Sequence, residues 1–283
     1  MRARRGARGR LSAMARWSRI LRCAARTMRA VGRRPRRALT LVCCAAPVLW
    51  LGLNWGYQVA RQPAELPGLF GGAFVKTPRD TWESYAAHFR AHSTAIMTRE
   101  FLAALAHAES GGSPLARPEW RWRWSWNPFT VYAPASSATG MYQITDGTFA
   151  EARRYCIRRN RVMETGPWHD LDACWFNWLY SRLLPGHAVE LTAAYLDVAV
   201  RELLAEHGRR RATLEQKQTL AAVVHLCGRH RAAGVVRRDF HLGAGERCGS
   251  HDVRDYVGRV RRLSQLFARV AAGDGRGLVA LRG

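Results

Sequence analysis

Among the acidic residues of this sequence, Glu109 stands out by its position. In "STAIMTREFLAALAHAE", Leu102, Leu105, Ala106 and Glu109 recur at i, i+3, i+4 and i+7, so the carboxylate falls on the apolar stripe of a helix. Gly111 and Gly112 then stop the helix, which leaves Glu109 in its last turn. A carboxyl group half buried among apolar side chains has its ionised form disfavoured, and its pKa is expected to rise. Such a group can hold a proton near neutral pH and serve as a general acid. The competing reading is an end-of-helix glutamate bent to solvent, although a helix C-terminus is electrostatically poor for an anion. Two other spacings carry chemistry. Cys227 with His230 and Cys248 with His251 are both C-x-x-H, a plausible zinc set. His169 and Asp170 could form a catalytic pair, but a loop hydrogen bond is the preferred reading.

Downstream of Glu109-Ser110-Gly111 lies "SSATGMYQITDGTF", Ser136 to Phe149. Taken with "AHAESGG", it resembles the lytic transglycosylases of the soluble (SLT) type, which share the lysozyme-like fold. In that family the catalytic Glu stands in an E-S-G context at a helix end, and a small-residue loop of the form S-x-x-G-A-x-G-L-x-Q-I-x-P-x-T follows. Gly140-Met141-Tyr142-Gln143-Ile144 and Thr148 match that loop. Tyr195-Leu196 resembles the family's Y-L helix, and Tyr256-Val257 its closing Y-V-x-x-V. The resemblance runs from about Ser93 to Leu266. It departs from the family at Ser137, where a Gly is usual, and at Pro134, where the loop's Ser would fall beside Ser136 and Ser137. The Y-N-A-G motif occurs only as His225-Leu226-Cys227-Gly228, so His225 stands for the Tyr and the Asn is lost.

The resemblance implies that Glu109 cleaves the β-1,4 bond between N-acetylmuramic acid and N-acetylglucosamine in peptidoglycan, leaving a 1,6-anhydro end. It implies substrate contacts from Ser136, Ser137, Gly140, Met141, Tyr142, Gln143, Tyr195, His225 and Tyr256, with the glycine admitting a sugar close to the backbone and Met141 and Gln143 lining the cleft. No metal or cofactor is expected. A lysozyme-type hydrolase would want a second carboxylate, for which Glu119 is the near candidate. The third reading is an inactive wall-binding or assembly protein. Such enzymes serve general wall turnover or open the wall for a cell-envelope machinery.

The elements that must position these residues read as a mainly α (α+β) lysozyme-like domain over 81–283 with a small β excursion beside the cleft. Helices are expected over "TWESYAAHFRAH", over "STAIMTREFLAALAHAE" with Ser93 or Thr94 as N-cap, and over "TDGTFAEARRYC" with Thr145 or Asp146 as cap. Further helices are expected over "DACWFNWLYSRLL", "AVELTAAYLDVAVRELLAEHG", "TLEQKQTLAAVVHLCG" and "HDVRDYVGRVRRLSQLFARVAAG". Between the acid and the loop, "EWRWRWSWNPF" puts Trp120, Trp122, Trp124 and Trp126 on one face of an extended chain. An Arg-Trp repeat alone would suggest a membrane-active peptide. Set between Glu109 and Gln143, it reads as a strand whose indoles pack under the sheet or stack on sugars, with "FTVYAP" as a second strand. Trp175, Trp178 and Tyr180 are expected in the core, and the arginines of "RRYCIRRNR" on a solvated face.

The net charge is +24, but residues 1–37 hold fourteen arginines and no acid, so most of the excess lies in a basic tail. The 23 uncharged residues Ala38–Ala60 suffice to cross a hydrocarbon core, for which about 20 helical residues are needed. Positive-inside bias keeps the tail, 1–37, in the cytoplasm. The span, 38–60, is then an inner-membrane anchor, 61–80 a Pro- and Gly-rich linker, and the rest a periplasmic domain. A cleavable signal peptide starting at Met28 is the rival; it lacks a small-x-small site, since Gln58 precedes Ala60 by two. The tail serves topology, and no nucleic-acid partner is expected. Beyond the span lie Cys156, Cys174, Cys227 and Cys248, an even number that reads as two disulfides in an exported domain. Pairing of sequence neighbours is preferred to zinc, at about 3 kcal/mol of stabilisation each.

Overall fold

The computed structural model describes residues 35–61, 76–167, 169–170 and 173–280. The basic tail up to Arg34 and the linker over 62–75 lie outside the described residues, so those expectations are not addressed. The chain divides into two units. The first holds helix α1 (Pro35–Arg61) and the segment Trp124–Val131. Within α1, the 23 residues Leu39–Arg61 contain an 18-residue stretch of mean hydropathy 1.5, and they form a helix long and apolar enough to cross a membrane. In Trp124–Val131 the Asn127 Oδ1 accepts the Phe129 amide (3.0 Å) and starts a 3-10 turn, Pro128–Thr130. The Phe129 ring meets Tyr57 of α1 at 5.2 Å, and the Gln58 amide donates to the Phe129 carbonyl (2.5 Å).

The second unit is mainly helical with short antiparallel ladders. Helix α2 (Pro78–Ala91) starts where Thr77 and Asp80 form a capping box. It packs on α3 (Arg99–Ser110) through Trp82, Tyr85 and Phe89, all buried. The N-cap of α3 is Thr98, not Ser93 or Thr94. Thr94 instead accepts the amides of Ile96 (3.2 Å) and Met97 (3.0 Å) and donates to the buried Asp197 (2.6 Å), so it shapes the preceding turn. Two long helices, α5 (Pro185–Glu206) and α8 (Val253–Ala280), sandwich the rest of the core with α6 (Leu214–Cys227). A capping box of Thr213 and Gln216 opens α6. Helix α7 (Arg229–Arg237), absent from the sequence-based expectation, follows Gly228 at once.

Three expectations fail here. The tryptophan strand is only Trp120–Trp122 (β1), paired in antiparallel register with Tyr132–Pro134 (β2). Its indoles do not pack under a sheet: Trp122 is 67% exposed, and Trp124 and Trp126 are fully exposed at 106% and 105%. A two-stranded ribbon three residues long has no opposing layer to bury them. The helix expected through "TDGTFAEARRYC" ends early, as α4 (Asp146–Ala152), because Tyr155–Arg158 (β3) pairs with Arg161–Glu164 (β4). Arg159 and Asn160, at φ 50° and 60°, make the left-handed two-residue turn that suits a tight hairpin. The inward residues Tyr155, Cys156 and Ile157 are buried and Arg158–Arg161 are exposed. The helix expected over "DACWFNWLYSRLL" is only a 3-10 turn, Asn177–Leu179, and Trp178 is 71% exposed rather than in the core.

Candidate functional site

Glu109 owes its place to the end of α3. Gly111 takes φ 59°, the left-handed conformation that stops a helix, and its amide caps the carbonyls of Ala106 and His107. Ser110 then links the two stretches that attracted attention in the sequence. Its hydroxyl lies 2.8 Å from the carbonyl of Met141, to which it donates, and 3.0 Å from that of Ala106. The Gly140–Gln143 loop is thereby held to the helix end that carries Glu109.

Three side chains converge on the Glu109 carboxylate, whose own side chain is only 17% exposed. The Tyr256 hydroxyl donates to Oε1. The His225 Nε2 lies 3.4 Å from the same oxygen. Arg259, one turn along α8 from Tyr256, adds a positive charge. Burial pushes the Glu109 pKa up, but the His225 charge and hydrogen bond, the Tyr256 hydroxyl and the Arg259 charge outweigh it. Glu109 is thus held below its ordinary value. This corrects the expectation of a raised pKa, which counted the apolar stripe of α3 and not the polar groups arriving from α6 and α8. Conversely, burial first, and then the Glu109 charge and hydrogen bond, push the Tyr256 phenol well above its ordinary value.

The Cys227–Cys248 disulfide (1.94 Å) supports this convergence. It joins the end of α6, two residues past His225, to the short ladder of β5 (Arg247–Cys248) and β6 (His251–Asp252) that leads into α8 and Tyr256. With both sulfurs at bonding distance, no thiolate is left there for zinc. The second pair, Cys156 with Cys174 (2.06 Å), ties β3 to the loop before the Asn177 turn.

His225 and Gln143 also line a small depression of about 50 Å³, together with Thr145, Thr148 and Tyr195. Burial raises the pKa of the Tyr195 phenol. Of the expected substrate contacts, Gln143, Tyr195 and His225 therefore share one hollow. Others are elsewhere. Met141 and Tyr142 are completely enclosed, and the Tyr142 hydroxyl donates to the Leu102 carbonyl (3.0 Å). They are core residues under the loop, with no surface open to a substrate in this structure. Gly140 (φ +81°) is also buried, and a Cβ there would meet the Arg182 carbonyl at 2.3 Å. The glycine thus admits the protein's own backbone, not a sugar. Tyr256 is 3% exposed and orients Glu109. Ser136 is exposed and accepts the Ala138 amide (3.2 Å), while Ser137 accepts that of Asp146 (3.1 Å). Glu119 is exposed on the β hairpin. Thr145 is the N-cap of α4, and Asp146 pairs with Arg182 (2.7 Å).

Arg182 escaped the sequence reading. Its guanidinium donates to the carbonyls of Ser137 (3.0 Å) and Ile144 (2.7 Å) and to Asp146, bracketing the loop from both ends. No periodicity or motif marks it, since its partners lie far away in sequence. Glu190 is similar: buried in α5, it accepts the Ile157 amide (2.7 Å) and the Tyr180 hydroxyl (2.8 Å), fastening β3 to the core. A larger hollow, about 590 Å³ and lined by Thr94, Arg161, Asp197, Arg201, Arg210 and Lys217, holds none of the motif residues. Among known protein families none matches the chain, and no curated protein does.

Proposed function

We propose that this protein is a peptidoglycan lytic transglycosylase of lysozyme-like architecture, anchored in the inner membrane by α1 with the second unit in the periplasm. The observation that carries the reading is the Ser110 hydroxyl on the Met141 carbonyl. Through it a half-buried glutamate and a glycine-containing loop, matched separately in sequence to one family's motifs, become neighbours, and His225, which meets Glu109, lines a hollow with Gln143 of that loop.

The chemistry follows from the groups around Glu109. In its protonated form the carboxyl gives its proton to the glycosidic oxygen as the C1–O bond of the muramic acid residue breaks. The substrate's own acetamido group stabilises the positive centre at C1. The carboxylate then takes the proton of the C6 hydroxyl, O6 bonds to C1, and a 1,6-anhydro ring closes. No water is consumed and Glu109 ends protonated, so one carboxylate completes the cycle. Tyr256 and His225 favour the ionised form, which suits the second half. A glycan lying against the exposed edge of Glu109 excludes water, strengthens the contribution of burial, and moves Glu109 toward the protonated form needed for the first half.

The test is digestion of purified sacculi by the full-length protein in detergent. Soluble muropeptides with anhydro ends are expected, and Glu109→Gln should reduce their release by at least about 100-fold, the lower range for a positioned acid-base group. Reducing ends would replace this reading with hydrolysis. Equal release by the variant and the parent would remove Glu109 from the chemistry.

A further inference from the structure

We propose that the segment Trp124–Val131 is a second membrane contact, with Trp124 and Trp126 seated in the headgroup–acyl boundary of the bilayer that α1 crosses. The proposal rests on the reading of α1 as a membrane span.

The two indoles are the most exposed large hydrophobic side chains of the described residues, at 106% and 105%, and they stand on a tip with no protein layer over it. The same tip belongs to the unit of α1 and is fastened to it. The Phe129 ring lies tilted against Tyr57, and its carbonyl accepts the Gln58 amide. Gln58 precedes Arg61, the terminal charge of the apolar run Leu39–Arg61, by three residues, and a helix rises about 1.5 Å per residue. The docking point therefore lies about 4.5 Å inside the charged end of the span. That depth is the interface, where Trp and Tyr concentrate because an indole has an apolar body and a polar N–H for the headgroups. Tyr57 already supplies one such ring there.

Within the tip the Ser125 hydroxyl bonds that of Thr130 at 2.6 Å and accepts the Asn127 amide (3.1 Å), and the Asn127 Oδ1 accepts the Phe129 amide, so these polar groups of the turn find partners inside it. A segment entering the polar margin of a bilayer needs this. A stack on glycan strands is the rival occupant. It accounts for exposed indoles but not for their attachment to the end of an apolar helix.

The experiment uses the full-length chain reconstituted in vesicles of phosphatidylethanolamine and phosphatidylglycerol, with bromine carried on the acyl chains near the headgroup. In a Trp50→Phe/Trp55→Phe background, which silences the span, a bromolipid-quenched emission component should persist. It should fall at least about twofold on Trp124→Ser/Trp126→Ser, with the melting temperature unchanged. Equal quenching with and without the tip indoles overturns the proposal. Unchanged lipid quenching with lost sacculus binding assigns the indoles to glycan instead. Flotation with the vesicles after carbonate washing reads α1 separately. If the protein fails to float, the anchor reading falls and takes this proposal with it; if it floats without tip quenching, only the tip proposal falls.

Discussion

At the scale of single residues, Glu109 is a buried acid whose surroundings were built for its anion. A pure apolar stripe would have left it uncompensated at a cost of several kcal/mol. His225, Tyr256 and Arg259 remove that cost and hold its pKa below the ordinary value. The sign of the consequence follows from linkage. A carboxyl whose folded pKa is depressed contributes stability above its unfolded pKa, and that contribution is lost as pH falls through the folded value. For catalysis the direction is opposite, because the first proton transfer uses the protonated form. The kcat/KM for sacculus cleavage should therefore fall with rising pH from an inflection on the acid side of ordinary glutamate. Replacing His225 by Gln removes the largest of the influences that lower the pKa. The inflection should then move to higher pH, while the acid end of the melting profile becomes flatter. A pH–rate series on the two proteins measures this, and an unmoved inflection would mean that Glu109 is not the titrating acid. Sequence alone placed Glu109 at its helix end and singled out His225. It could not see the lowered pKa, which depends on α6 and α8 folding back onto α3.

At the scale of elements, the site is held by cross-links that join distant segments, and here the sequence was legible only where a pattern is local. The helices α2, α3, α5, α6 and α8 were readable because each has its own cap or apolar stripe. The short ladders and α7 were not, since pairing and burial decide them. The tryptophan alternation misled for the same reason: period two specifies a face, but whether that face is covered depends on a layer the segment does not encode. The cysteine pairs were readable from their even number, and their effect is now specific. Cys227→Ser/Cys248→Ser should lower stability by about 3 kcal/mol on the chain-entropy relation. For a domain of this size that is about 6–12 °C in Tm. Activity at a temperature well below the melt should drop as well, because the bond couples the helix of His225 to the helix of Tyr256. Cys156→Ser/Cys174→Ser should cost comparable stability with a smaller loss of activity, since that bond fastens β3 instead. Scanning calorimetry paired with muropeptide release separates the two; equal activity losses would deny the first disulfide its part in positioning.

At the scale of the whole molecule, charge, span and disulfides make one connected claim about orientation. In the twenty residues before Ala38 there are eight arginines, against three basic residues, Arg61, Lys76 and Arg79, in positions 61–80. Such an imbalance close to a span retains the richer flank in the cytoplasm. On the proposed reading the second unit then meets the oxidising side of the membrane, where Cys156–Cys174 and Cys227–Cys248 can form and persist. On that reading the tail arginines should decide whether the disulfides of the second unit form. Replacing Arg33, Arg34, Arg36 and Arg37 by Ser would leave four against three, which should split the population between two orientations. Inverted molecules would keep all four of these cysteines reduced in a thiol-buffered compartment. Alkylation of intact cells under denaturing quench, followed by mass measurement, should find a single species for the parent chain. The variant should give a second one heavier by four alkyl groups, and that species should lack muropeptide-releasing activity. A variant that remains a single species would place orientation under the control of something other than the arginine imbalance.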